Sequence, residues 1–136
     1  MKTLLLALAC LGLLALAAAC SERDRSPGGD GDRKVVDAPI DGLDILVRES
    51  FPPGYTAHIL SGLPTGCARF DAATLVGRSG TTITIRVTNT EPTDTHIACT
   101  AIYGTHESNV DLGQDFTSGT TYTVRVNDKT KTFVAQ

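Results

Sequence analysis

From about residue 40 onward, apolar and polar side chains alternate with a period of two. Residues 41–49 read DGLDILVRE, with Leu43, Ile45 and Val47 set against Asp44, Leu46 and Arg48. Such alternation predicts a half-buried strand. Pro52 and Pro53 end it, because proline has no amide hydrogen to give to a ladder. Residues 55–60 predict a second strand, with Tyr55, Ala57 and Ile59 on one face. Residues 61–66 (SGLPTG) read as a loop, and residues 67–71 as a short third strand carrying Phe70. Two alternating runs, 73–78 and 81–90, bracket Ser79-Gly80, a hairpin signal. In the second run Ile83, Ile85 and Val87 share a face. Residues 91–94 (EPTD) predict a turn, and residues 96–103 a strand with Ile97, Cys99, Ala101 and Tyr103 in phase. Gly104 is expected at a bulge or bend. Residues 105–112 predict a further strand, and 113–119 a loop. A last hairpin turns at Asn127-Asp128, between the alternating Tyr122, Val124 and Val126 and the return run 129–134.

No stretch of this region has helical periodicity. Some seven to eight short strands at spacings of roughly 8–12 residues predict an all-β fold, an antiparallel two-sheet sandwich. Abundant Thr and Val, with Gly and Pro as punctuation, agree with it. In size and strand rhythm residues 40–136 resemble immunoglobulin-like sandwiches, although the chain has no Trp to fill such a core. They also resemble small bacterial lipoprotein domains of uncharacterised family.

The beginning of the chain is patterned differently. After Lys2, residues 4–19 read LLLALACLGLLALAAA, without a charge. A short basic start, an apolar run and small residues before a cut site describe a secretory signal. The run is short for a membrane span, which needs about 20 apolar residues. It closes on Ala17-Ala18-Ala19-Cys20, which resembles the lipobox of bacterial lipoproteins. That resemblance implies cleavage after residue 19, with lipid attachment at Cys20 and acylation of the new amino terminus. It further implies a bacterial cell-envelope protein, extracytoplasmic and anchored in the membrane. Ser21 points to the outer membrane if the cell is Gram-negative. Several acyl chains hold a protein where a single one holds only marginally. The family prefers Leu three positions before the cysteine, and here Ala17 stands there, with Leu16 one step further out.

The organisation expected is therefore signal 1–19, tether 20–39 and domain 40–136. Residues 21–39 (SERDRSPGGDGDRKVVDAP) carry both charge signs and one apolar pair, Val35-Val36. Such a segment buries too little to offset its ordering entropy, and it reads as a flexible spacer. Once Cys10 leaves with the signal and Cys20 takes the lipid, Cys67 and Cys99 remain, and two cysteines in an exported domain pair. A loop of roughly 33 residues closed by that bond stabilises by about 3–4 kcal/mol in the chain-entropy picture.

Without Lys2, eleven Lys and Arg face fifteen Asp and Glu. That balance argues against nucleic acid, which needs clustered cations. His58, His96, His106, Cys67 and Cys99 could ligate a metal, and His96-x-x-Cys99 invites comparison with copper sites. Blue copper would want an axial Met, and Met1 is the chain's one methionine. Histidines in loops and on surfaces are the plainer reading. There is no Gly-x-Ser-x-Gly elbow, no Cys-x-x-Cys and no phosphate-binding glycine loop. The expectation is thus a non-enzymatic binding or structural module without a cofactor, meeting an extracytoplasmic protein or ligand. Function often sits on loops at the ends of a sandwich, and Phe51, Tyr55 and Leu63 are the apolar candidates there. Two alternatives stand beside it: a metal-handling envelope protein using His96 and His106, and a loop binder of the protease-inhibitor kind.

Overall fold

The structure, a computed structural model, describes residues 31–136. The expected signal, Cys20 and the first part of the expected tether lie outside the described residues. Within them the chain forms eight strands and no helix: β1 (Arg33–Asp37), β2 (Ile40–Arg48), β3 (Gly54–Leu63), β4 (Arg69–Ser79), β5 (Thr82–Pro92), β6 (Gly104–Gly113), β7 (Thr121–Val126) and β8 (Lys129–Val134). They make two sheets, one of β2-β3-β6 and one of β1, β4, β5, β7 and β8. This is the β-sandwich that the alternation predicts.

The larger sheet is built on β5. Its Ile83, Ile85 and Val87 are buried, as their shared phase requires. β4 runs antiparallel along one edge, from Arg69↔Thr90 to Ser79↔Thr82. The opposite edge is divided. β1 takes Thr88–Pro92 antiparallel, and β7 takes Thr82–Ile85 in parallel. The expected antiparallel pairing thus holds at every pair but this one; the parallel pair arises because the chain crosses to the other sheet through β6 before it returns as β7.

Where β1 gives way to β7, the side chain of Asn127 completes the ladder. Asn127 Oδ1 accepts from Val87 N at 3.0 Å. Its Nδ2 donates to Val87 O and to Ala38 O, both at 2.8 Å. The backbone sits in the left-handed region (φ 49°), which Asn tolerates better than most residues. Turn and rung are thus supplied by one residue.

In the smaller sheet β3 is central, paired with β2 and β6. Ala57 and Ile59 of β3 and Leu43 of β2 face Ile85, Val87, Val124 and Val126 across the core. The sheets also meet along two seams. On one, Lys131 of β8 reaches Asp44 of β2 at 3.2 Å, and Lys129 Nζ donates to Asp41 O at 3.0 Å. Lys131 pairs with the buried Val124 and so shares its inward face; inward-pointing charge is a common way to blunt a sheet edge. On the other, Phe70 of β4 stacks on His106 of β6, ring centroids 3.7 Å apart.

Several boundaries differ from expectation. The stretch read as tether, 20–39, contains β1, and Ala38 is buried. Its strand forms because β5 leaves half an edge open, and ladder hydrogen bonds need no apolar side chain. Residues 96–103, expected as a strand, carry no strand and form a loop. Cys67 precedes β4 in a turn, and Leu63 ends β3 opposite Gly104. The hairpin turn falls on Gly80 (φ 58°) and Thr81, one residue later than expected.

Candidate functional site

The candidate residues divide between the two ends of the sandwich. β1 begins, β3 and β5 finish, and β6 starts at one end, where Arg33 pairs with Pro92 and Leu63 with Gly104. The loop 93–103 closes this end. Cys99, within it, is bonded to Cys67, with 5.4 Å between their Cα atoms.

Close approach keeps this loop down. Gly66 N donates to Thr100 O at 2.9 Å. A Cβ on Gly66 would come within 2.1 Å of Thr100 Oγ1. Tyr103 OH donates to the Asp41 carboxylate, 2.8 Å from Oδ2 and 2.9 Å from Oδ1. Its ring therefore crosses above Gly62 of β3, where a Cβ would lie 1.8 Å from the phenol oxygen. Donating to Asp41, and facing its negative charge, raises the Tyr103 pKa above the usual 10.0. Arg33 ties this end to the ladder: Nη2 donates to Cys67 O at 2.7 Å and to Thr90 O at 2.8 Å. Beside it lies a cavity of about 190 Å³, lined among others by Arg33, Cys67, Arg69 and Ile97. Outward from the loop stand Ile97 (39% exposed) and Ile102 (69% exposed).

The opposite end carries Phe51. It sits between β2 and β3 and is fully exposed. Ser50 shapes that turn, donating from Oγ to Pro52 O at 2.8 Å and accepting from Gln114 Nε2 at 3.1 Å. Behind it Arg48 pairs with Asp111 at 2.8 Å. Tyr55, the second loop candidate, is instead 1% exposed and belongs to an aromatic plug with Phe116, Tyr122 and Phe133. Its ring lies on the inward face of β3, and its hydroxyl accepts from Gln136 N at 2.8 Å. Tyr55 is thus a core residue with its polar tip satisfied, and it offers nothing to a partner. Arg78 covers the plug, with its guanidinium 4.7 Å from the Phe116 centroid and 4.8 Å from that of Tyr122. Tyr122 OH accepts from Thr117 N at 3.0 Å. That bond favours the phenolate and lowers the Tyr122 pKa below 10.0, assisted by Arg78. Leu63, the third candidate, is half-buried at the disulfide end.

The histidines are dispersed. His96 lies in the 93–103 loop, where its backbone N donates to Asp94 Oδ1 at 2.8 Å. His106 is held against Phe70 on β6, and His58 bonds to Asn109 through Nδ1 at 3.0 Å. Cys67 and Cys99, candidate ligands by residue type, are joined to each other. Among the described residues no three His, Cys, Asp or Glu come together as metal ligands would. Sequence reasoning missed the ladder role of Asn127 and the close approaches at Gly62 and Gly66. Only Asn127 carried a signal, as a turn residue, and its ladder role depends on strands far away in sequence.

No curated protein and no solved structure matches this chain. Residues 57–135, more than half of it, match the family described as the ORF11 beta-sandwich domain. The matched span runs from β3 through β8 and includes both cysteines of the disulfide. The chain belongs to the ORF11 beta-sandwich domain family.

Proposed function

We propose that this protein is a lipid-anchored domain of the bacterial cell envelope. Acylated at Cys20, it acts as a non-enzymatic binding or structural module and presents its Phe51 end to an extracytoplasmic protein. The observation that carries this reading is the polarity of the domain. The chain arrives from its amino terminus at the disulfide end, whereas the fully exposed Phe51 lies at the other. A tether at one end and a free apolar side chain at the other suit an anchored display. The Cys67–Cys99 bond supports export, since disulfides persist in oxidising compartments. The alanine-rich approach to Cys20 supports acylation.

The test is fractionation of cells producing the whole chain or its Cys20→Ser variant. The native chain is expected in the membrane fraction and the variant in the soluble extracytoplasmic one. A variant that stays as firmly membrane-bound as the native chain overturns the anchor.

A further inference from the structure

We infer that the disulfide end rests on the bilayer itself, with Ile97 and Ile102 of the 93–103 loop entering the headgroup and acyl boundary. This inference rests on the reading that Cys20 is acylated. Ile97 and Ile102 are exposed on a loop that the disulfide pins. They stand at the end where the chain arrives from Cys20. β1 begins at Arg33, so twelve residues, 21–32, separate it from Cys20. Fully extended, the path from Cys20 to Arg33 spans at most about 45 Å. β3, with ten residues, sets the two ends about 30 Å apart. Turning the Phe51 end toward the lipid would take about 30 Å of that reach merely to run along the sandwich. With the disulfide end down, it needs to cross only the distance from bilayer to loop.

The occupant is a lipid surface by chemistry as well as by distance. Tyr103, half exposed beside Ile102 and bonded through its hydroxyl to Asp41, has the apolar body and polar tip that suit a membrane interface. The surrounding charges are of both signs (Arg33, Lys34, Asp41, Asp94), so the contact is apolar and does not depend on anionic lipid. Two isoleucines bind weakly alone. Tethering makes their contact intramolecular, and a weak contact then suffices.

The chain has no tryptophan, so a single one is a clean reporter. Ile102→Trp and Phe51→Trp are made in the whole chain, recovered from membranes and reconstituted in phosphatidylcholine vesicles with brominated acyl chains. Both sites are exposed, and an intact disulfide and β-rich circular dichroism verify each fold. The expected result is that Ile102→Trp loses most of its emission to bromine and shifts to the blue, while Phe51→Trp is unchanged. Quenching of Phe51→Trp, or of neither reporter, overturns the inference. Intact mass of the same samples separates the two failures. Acylated protein without quenching at residue 102 leaves the anchor standing and removes the contact. Unacylated protein without quenching removes both.

Discussion

Asn127 does the work of a missing stretch of strand. Replacing it with Ala leaves Val87 N and Ala38 O without their partner. At about 1–3 kcal/mol for each buried group left unpaired, Asn127→Ala is expected to destabilise by about 2–6 kcal/mol in urea unfolding. Asn127→Gly is expected to be milder, because glycine takes positive φ without strain. The tyrosines provide a second residue-scale test. Tyr103 donates to a carboxylate, and its raised pKa contributes stability below pH 10 that is lost as pH rises through the raised value. Tyr122 accepts from a backbone amide, and its lowered pKa has the opposite sign: stability is gained as pH rises through the lowered value. In an ultraviolet titration the phenolate lost in Tyr122→Phe should therefore form at lower pH than the one lost in Tyr103→Phe.

At the scale of elements, the 93–103 loop depends on its staple. Reduction of Cys67–Cys99 is expected to cost about 3–4 kcal/mol and to expose the loop to protease, with cleavage between residues 93 and 103 before any within β3 or β5. Cleavage elsewhere first would show that the staple holds the sandwich itself. The hairpins at Gly80 and Asn127 were legible in the sequence because a turn with positive φ selects its residues. So was the core face of β5, whose alternation reports burial directly. The loop was misread for a related reason. Ile97, Cys99, Ala101 and Tyr103 alternate like a strand, yet among the described residues no strand pairs with them, and alternation does not reveal whether a ladder is open. β1 was missed by the converse: its charged sequence looks like spacer, and an edge of β5 made it a strand. Tyr55 shows the same limit at the site, since a tyrosine next to a Pro-Pro-Gly turn does not announce that its ring faces inward.

For the whole molecule, what could be read was the architecture and what could not was the assembly of its ends. The sandwich followed from local pattern, whereas the number of strands agreed only by compensation, since β1 was missed and 96–103 was read as a strand. Which loops share an end follows from the order β1-β5-β7-β8 and β2-β3-β6, and order is set by long-range pairing. The two seams are closed by side chains, lysines on one side and a Phe–His stack on the other. Among the described residues no ladder hydrogen bonds join the sheets at either seam, so they form two sheets and not a closed barrel.

The divided edge of β5 has a mechanical meaning. Tension between a membrane-held amino terminus and a partner at Phe51 would run along the strands, parallel to β1. Its five paired residues would then share the load together in shear, where a pull across the strand would open them one at a time. Beyond them Asn127 grips Ala38 and Val87, the stop that such a pull meets last.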